Sequence, residues 1–360
     1  MPSSAEPVPV SVCVTNYQGA EHLPHCLGAL QAQTLAVDEL IVVDNASSDG
    51  SREVVQRVAP AARWIELPAN EGPCPARNAG LQAARNDWVL LVDNDAVLAP
   101  DALERLVAAA RSRPDAALVQ PRSVFFDQPD RVHYDGGAFH YVGLFSLRNF
   151  GRPLAAAEGQ GVVDVPGAVS VCLLADRRAV LEAGAFDPAF FVLFEDLDLS
   201  WRLRVRGHAI LSVEEALCRH RGGTAGISFR ARAYPRRRAF LHSRNRWMFL
   251  AQNYRLRTLL AAAPGIALYE LAWAGFCLAS GTLLDHLRGK LAFFAALPRV
   301  LAQRRRNAHA RAGVRDRDLL VGGPLTLSPQ IAPRGVRAAL VSGLNAMLAL
   351  WWRLAGRLAG

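Results

Sequence analysis

The pattern of apolar and polar residues predicts an α/β fold in the N-terminal half of the chain. Short apolar runs at residues 10–15, 39–44, 63–67 and 88–92 are each four to six residues long, which is the usual length of a strand. Helical patterns separate these runs, and one of them extends from Pro75 to Ala84. Strands that alternate with helices predict a doubly wound, mostly parallel sheet.

Polar residues follow the predicted strands at their carboxyl ends. In a parallel sheet these ends meet at one edge, where open α/β sheets bind their ligands. The pattern therefore predicts a nucleotide crevice at this edge. The candidate residues are Thr15, Asn16, Tyr17, Asp44, Asn70, Gly72, Asp93, Asn94 and Asp95.

The Asp93-Asn94-Asp95 triplet indicates a metal site, because carboxylate oxygens suit hard divalent cations such as Mg²⁺ and Mn²⁺. Mg²⁺ is usually held by one or two carboxylates together with substrate phosphates. Acidic turns without a ligand are common, so the triplet alone leaves a solvated turn as an alternative.

Residues 10 to about 225 resemble the family-2 glycosyltransferases of the GT-A fold, in particular their bacterial rhamnosyltransferase-like branch. Each matching motif is short, and the resemblance depends on their order along the chain. The motifs are Val-Thr-Asn-Tyr at 14–17, Val-Asp-Asn-Ala-Ser-Ser-Asp-Gly-Ser at 43–51, Asn-Glu-Gly at 70–72, Ala-Arg-Asn-Ala-Gly at 76–80, Asp-Asn-Asp at 93–95, Gly-Ala at 167–168, Gly-Ala-Phe-Asp-Pro at 184–188, Phe-Glu-Asp-Leu-Asp-Leu-Ser-Trp-Arg at 194–202 and His220.

The resemblance implies roles for the first half of the site. Asp44 would contact the nucleotide base, with a turn-forming role as the alternative, and Thr15, Asn16 and Tyr17 would lie against the base. Asn70 and Gly72 would form a loop that approaches the ligand closely. From its chemistry, Arg77 could donate to a phosphate through both arms of its guanidinium. The family commonly has Phe-Ala where this chain has Pro73-Cys74, so this loop departs from the pattern.

The resemblance also implies the metal ligands and the base. Asp95 would be the main ligand, Asp93 would face the ribose or metal-bound water, and Asn94 would contact the nucleotide sugar. His220 would complete the metal site, with a structural histidine as the alternative. Asp196 would be the general base, with Glu195 beside it, and direct attack would invert the anomeric carbon. Helix capping is the alternative for these acids, and it suits Asp198 better than Asp196.

Charge divides the chain into two parts. Residues 1–220 carry 18 arginines and 28 acidic residues, a net charge of −10, whereas residues 221–360 carry 23 basic and 4 acidic residues, a net charge of +19. This asymmetry suggests an anionic surface as partner of the C-terminal part. We expect a tail at 1–8, a GT-A domain at 9–228 and a basic helical region at 229–360. The domain divides into a nucleotide-sugar half at 9–120 and an acceptor half at 121–228, where Gly136, Gly137 and Gly143 suggest a mobile loop.

Two apolar stretches in the C-terminal region suggest contact with a membrane. Residues 259–284 are long enough to span a bilayer, although Pro264, Gly265 and Glu270 weaken that interpretation. Residues 338–352 are shorter and have arginines on both flanks, which is typical of an interfacial helix. Packing of these helices on each other or in a homodimer is the alternative. The apolar residues of the second stretch that share one helical face are Leu340, Leu344, Met347, Leu348 and Trp351.

We therefore expect an inverting glycosyltransferase that uses Mg²⁺ or Mn²⁺, a nucleoside-diphosphate sugar, and a glycan or lipid-linked acceptor of cell-surface polysaccharide synthesis. The alternatives are a sugar-phosphate nucleotidylyltransferase and an inactive membrane-associated scaffold. The N-terminal residues lack the pattern of a secretory signal, so we expect a cytoplasmic protein, peripheral on the inner membrane. No nucleic-acid fold is recognisable. Six scattered cysteines favour buried, reduced thiols over zinc ligation.

Overall fold

A twisted sheet of mostly parallel strands forms the centre of the molecule. The computed structural model describes residues 8–223, 227–228, 234–327 and 335–359. The four predicted strands are confirmed, and the predicted helix begins at Pro73, two residues earlier than expected. These elements are β1 (Val10–Asn16), α1 (Leu23–Gln31), β2 (Glu39–Asp44), α2 (Ser51–Val58), β3 (Arg63–Glu66), α3 (Pro73–Ala83) and β4 (Trp88–Asp93).

The second half of the sheet contains antiparallel strands as well as parallel ones. Its main path runs β10-β12-β6-β11-β4-β1-β2-β3, in which β11 and β10 are antiparallel to their neighbours. The remaining elements of this half are β5 (Ala96–Leu98), α4 (Ala102–Ser112), β6 (Ala116–Phe125), β7 (Val132–Tyr134), β8 (Gly137–His140), β9 (Leu144–Leu147), β10 (Val162–Asp164), β11 (Cys172–Asp176), α5 (Arg177–Glu182), α6 (Glu195–Arg204) and β12 (Ala209–His220), with short 3-10 turns at Leu154–Ala156 and Pro188–Phe190.

Helices cover both faces of the sheet, which explains why β1 is buried along its whole length. Alternate residues of β1 enter two cores: Val12 and Val14 pack with α1, α2 and α4, whereas Cys13 packs with α3, α5 and α6. A side-chain carbon at Gly80 of α3 would lie 1.9 Å from the Cys13 sulfur, so glycine is required for this helix to approach the sheet. All six cysteines are buried free thiols, as expected.

The C-terminal region packs on residues 121–228, the second part of the N-terminal domain. A third core joins Phe139 of β8 and Trp201 of α6 to residues of the C-terminal helices such as Phe249. The glycine-containing stretch expected to be a mobile loop instead forms the β8–β9 hairpin, and β13 pairs with β8. The C-terminal elements are α7 (Arg236–Asn253), α8 (Leu256–Ala279), α9 (Leu283–Ala295), α10 (Leu297–His309), α11 (Asp316–Leu319), β13 (Leu320–Val321) and α12 (Val336–Ala355).

The apolar stretch predicted at 259–284 is divided between two helices. Gly281 has a φ of 71° and separates α8 from α9. Glu270 lies in the second half of α8, where its carboxylate binds Arg246 of α7 at 2.6 Å and Lys290 of α9 at 2.5 Å. Lys290 is the only lysine of the chain. Glu270, whose charge weakened the membrane-spanning interpretation, therefore links α7, α8 and α9.

Candidate active site

A chain of hydrogen bonds crosses the carboxyl edge of the sheet from β2 to β4. The Asn16 amide donates to a carboxylate oxygen of Asp44 at 2.6 Å, and Asn94 donates to the Asn16 amide oxygen at 2.6 Å. Asp44 also accepts from the backbone N–H and the hydroxyl of Ser47. The turn-forming role considered for Asp44 is thus present, and its buried carboxylate is held in one orientation at the crevice. Asp44, Asn16 and Asn94 lie together, as their positions after three parallel strands predicted.

The next two candidate segments flank this chain of hydrogen bonds. Thr15 is buried at the end of β1, and Tyr17 is exposed just beyond it. Asn70 accepts a hydrogen bond from the backbone N–H of Gly72 and forms a tight turn before α3. Gly72 has a φ of 90°, and a side-chain carbon there would lie 2.5 Å from the carbonyl oxygen of Phe191. The close approach expected at Gly72 is therefore to a loop of the protein itself.

Asp93, Asp95 and His220 form a group that could hold a metal ion. Their ligand atoms lie within 4.8 Å of one another, and the side chains of Asp93 and Asp95 are 26% and 17% exposed. The antiparallel pairing of β5 with β12 places His220 opposite Ala96, which brings its Nε2 atom to 3.4 Å from Asp95 Oδ1. Two carboxylates and one imidazole fit a divalent cation such as Mn²⁺ or Mg²⁺.

The pKa values of the two carboxyls of this group are shifted in opposite directions. Burial raises the pKa of Asp93, and the neighbouring charge of Asp95 adds to this effect while Arg77 opposes it. Burial also acts on Asp95, but its hydrogen bond to His220 and the charge of that histidine outweigh it and lower the pKa of Asp95. Asp95 is therefore the more strongly ionised carboxylate, which suits the main ligand.

A second histidine, His133, which the sequence did not indicate, contacts the His220 ring. The Nδ1 atoms of His133 and His220 are 3.2 Å apart, so one of them donates a proton to the other. His133 is stacked between Phe125 and Tyr134, with ring centroids 4.1 and 3.9 Å away. Burial lowers the pKa of His133 to about 2, so it is neutral. No local pattern identifies His133, because it reaches His220 across 87 residues of chain.

Arg77 occupies a different place from the one expected. Its guanidinium is buried and donates to Asp93 at 2.8 Å and to the carbonyl oxygen of Ser170 at 3.0 Å. It also lies 3.5 Å from a carboxylate oxygen of Glu195. The phosphate contact stays a prediction, and in the structure the guanidinium already binds these internal partners. Arg77 connects Asp93 to Glu195 of the second acidic cluster.

The two acids of that cluster have different environments at the start of α6. Glu195 is buried against Arg77, whereas Asp196 is only half-buried and accepts a hydrogen bond from the Leu197 N–H. Burial, followed by the charge of Asp196, raises the pKa of Glu195 to about 8. Burial also raises the pKa of Asp196. Asp196 is thus the more accessible carboxylate, and its raised pKa favours proton acceptance.

Asp198 has a structural role and is not a cap of α6. Its carboxylate lies 2.8 Å from Arg202 Nε on the same helix. It also accepts hydrogen bonds from Gln252 and Asn253 at the end of α7. Trp201 is buried in the third core.

The loop before Glu195 is strained, which the sequence did not reveal. Phe191, Leu193 and Phe194 have φ values of 63°, 69° and 77°, in the left-handed region that non-glycine residues rarely adopt. Phe191 has a ψ of −72°, and the Val192 N–H donates to the Phe190 carbonyl at 2.8 Å, which defines a γ-turn of the rare, strained form. Each such residue costs about 1–3 kcal/mol, and such strain concentrates at active sites.

The fold and the matched segment indicate a glycosyltransferase. The family model described as Glycosyl transferase family 2 matches residues 11–172, which is just under half of the chain. This segment is similar to family 2, and the chain resembles the rhamnosyltransferase-like branch, as its motifs indicated.

Two curated relatives and one solved structure illustrate the similarity. The succinoglycan biosynthesis protein ExoO of Rhizobium meliloti is 35% identical over 137 residues, which is 38% of this chain and 37% of ExoO. The N-acetylglucosaminyl-diphospho-decaprenol L-rhamnosyltransferase of Mycobacterium tuberculosis is 25% identical over 270 residues, which is 68% of this chain and 84% of that protein. The crystal structure of GalNAc-T7 with UDP, GalNAc and Mn²⁺ shares the fold, with a TM-score of 0.56 and 15% identity over 73% of this chain and 52% of that one.

Proposed function

We propose that this protein transfers a sugar, with inversion, from a nucleoside-diphosphate sugar to a glycan or lipid-linked acceptor in cell-surface polysaccharide synthesis. The observation that carries the proposal is the pair of acidic clusters joined by Arg77. Asp93, Asp95 and His220 offer ligands for a divalent cation, and Asp196 offers an accessible carboxylate next to Glu195, which Arg77 links to Asp93. A cation site and an accessible carboxylate together could bind a diphosphate and activate a hydroxyl.

Each residue then has a defined task. Asp44, held by Asn16 and Ser47, would orient the nucleotide. Asp95 and His220, with Asp93, would hold Mg²⁺ or Mn²⁺, which when bound supplies positive charge beside the departing diphosphate. Asp196 would take the proton from the acceptor hydroxyl as that oxygen attacks the anomeric carbon. In-line attack of this kind inverts the configuration.

Two alternative functions receive less support. A nucleotidylyltransferase usually needs basic residues on the phosphates, but the single lysine lies on α9 in a salt bridge with Glu270. An inactive scaffold would not require three ligand atoms within 4.8 Å of one another.

A screen of nucleotide sugars tests the proposal: one donor should raise the thermal unfolding midpoint and be hydrolysed slowly in Mn²⁺ or Mg²⁺. Absence of both effects with every donor would contradict it.

We also propose that the C-terminal helices dock on an anionic membrane. Two helical segments, Leu256–Ala279 and Val336–Leu358, are long and apolar enough to span a bilayer, which by itself is weak evidence. The predicted apolar face of α12 is divided: Leu348 is buried and Trp351 donates to the Ala261 carbonyl of α8. A second set of apolar side chains on α12 faces outward. Its large exposed members are Val336, Leu340, Met347, Leu350 and Leu354.

Replacement of Leu350 and Leu354 by glutamate should reduce binding to anionic vesicles by at least tenfold. The two side chains are 57% and 67% exposed, so their loss leaves the α8 contact intact while adding charge that the bilayer repels. Vesicle co-sedimentation measures the effect, and Val162→Glu on the exposed edge strand β10 is the control. If the unmodified protein does not bind anionic vesicles and elutes as a dimer, these helices form a homodimer interface instead.

A further inference from the structure

The strained loop that precedes Glu195 and Asp196 is held by side chains of α7. Four of its carbonyl oxygens, those of residues 189, 190, 192 and 193, accept hydrogen bonds from only two residues of that helix. Asn245 donates its amide to the Phe190, Val192 and Leu193 carbonyls at 2.8, 3.0 and 2.8 Å. Arg244 donates to the Ala189 and Phe190 carbonyls at 2.8 and 3.2 Å.

Asn245 is itself fixed in orientation. Its amide oxygen accepts a hydrogen bond from Arg244 Nε at 2.9 Å, so its nitrogen must point toward the loop. The side chain is completely buried, and its two N–H groups donate to three carbonyl oxygens. A shape-matched side chain without the donor would face three carbonyl oxygens with no proton between them, which is costly when buried.

The segment before α3 closes the opposite side of the loop, because the Phe191 carbonyl oxygen lies where a side chain at Gly72 would be. On the α7 side, the Arg237 guanidinium also stacks on the Phe191 ring at 4.4 Å. Backbone in the left-handed region persists only where its surroundings enforce it. The loop conformation, and with it the direction in which α6 begins, therefore depends on α7 on one side and on the segment before α3 on the other.

We infer that Asn245 is a positioning residue for transfer, which acts by fixing the loop that places the Asp196 carboxylate. This inference rests on the proposed role of Asp196 as general base. It assigns to the C-terminal region, outside the matched family segment at 11–172, a direct part in building the active site. A base displaced by about 1 Å can lose roughly 10²-fold in rate.

The test compares Asn245→Ala and Asn245→Asp with Ser243→Ala. Ser243 lies on the same helix and is equally buried, but its hydroxyl pairs with His286 of α9 and accepts from Trp273 of α8. We expect both Asn245 variants to lose about 10- to 10²-fold in kcat per folded molecule, with the donor dissociation constant unchanged. Ser243→Ala should change only the unfolding midpoint.

A double variant separates positioning from general destabilisation. If Asn245 acts through Asp196, then Asn245→Ala should lower kcat much less in an Asp196→Asn background than in the unmodified protein. Equal losses in both backgrounds, or an unchanged kcat with only a lower unfolding midpoint, would overturn the inference. An active Asp196→Asn single variant would instead refute the base assignment.

Arg244→Gln provides an independent variant should Asn245→Ala fail to fold. It removes the guanidinium that donates to the Ala189 and Phe190 carbonyls, and also the Nε–H that orients the Asn245 amide. A fall in kcat at constant donor affinity supports the inference. An unchanged kcat contradicts it, because the loop would then keep its catalytic conformation without two of its five hydrogen bonds to α7 and without the donor that orients Asn245.

Discussion

Replacement of Asp196 by asparagine is expected to lower kcat by roughly 10²–10⁴-fold, which is the usual contribution of a general base. Asparagine keeps the shape of the side chain but cannot take up the proton of the acceptor hydroxyl. The donor dissociation constant should stay near that of the unmodified enzyme. Steady-state kinetics and donor titration measure the two quantities separately.

Glu195→Gln is the matched control, because the two acids are adjacent and differ in exposure. Glu195 is buried against Arg77, so we expect a milder loss of rate together with a lower unfolding midpoint. If Asp196→Asn retains transfer activity and Glu195→Gln has none, the base is Glu195. Normal turnover by both variants would place the base elsewhere.

The pH dependence of kcat provides a further check on Asp196. A general base works when deprotonated, so the rate should rise with pH through the pKa of that group. Because burial raises the pKa of Asp196, this rise should occur above the pH at which an ordinary aspartate ionises. The rise should be absent from the residual activity of Asp196→Asn.

Replacement of Asp95 by alanine is expected to abolish transfer and to weaken metal-dependent donor binding. The substitution removes the more strongly ionised carboxylate of the metal group, so less negative charge holds the cation beside the diphosphate. Donor titration in Mn²⁺ and in excess chelator measures the effect. Asp38→Ala, which breaks an exposed salt bridge to Arg85, is the control.

Asp93 requires a gentler substitution than alanine. Its carboxylate is also a partner of the buried Arg77 guanidinium, so Asp93→Ala would weaken both donor binding and folding. Asp93→Asn retains a hydrogen-bond acceptor for Arg77 and should weaken donor binding with a smaller change in the unfolding midpoint. Full activity of the Asp95 or Asp93 variants in excess chelator would falsify the metal assignment.

Local patterns were sufficient to predict the sheet and its polar edge. Strands β1, β2 and β4 are mostly buried, and burial on both faces of a sheet requires such apolar runs. The edge strand β3 is partly exposed and has a charged residue at each end. Because the strands are parallel, residues that follow them must meet at one edge, which is why Asn16, Asp44 and Asn94 lie together. The order of the short motifs along the chain carried the resemblance to the family, and the motifs at 14–17, 43–51 and 93–95 lie at the ends of these strands.

Contacts between distant parts of the chain decided the rest of the site. Three extra residues in β12, between Val213 and Leu217, shift its register against β6 before the segment that pairs with β5. That pairing is what brings His220 to Asp95. The contacts of Arg77 with Glu195, of His220 with His133 and of Asn245 with the loop all join residues more than 50 positions apart. The contact of Arg77 with Asp93 spans 16 positions but still joins separate elements.

The sequence by itself determined the fold class, the resemblance to family 2 and the positions of the two acidic clusters, because the fold class depends on local periodicity and the resemblance depends on the order of short motifs. Only the tertiary structure decided that Arg77 is an internal link, that Asp196 is more accessible than Glu195, and that α7 holds the strained loop before them. The physical reason is that burial and backbone strain depend on which surfaces meet, and no local pattern encodes the side chains that arrive from another part of the chain.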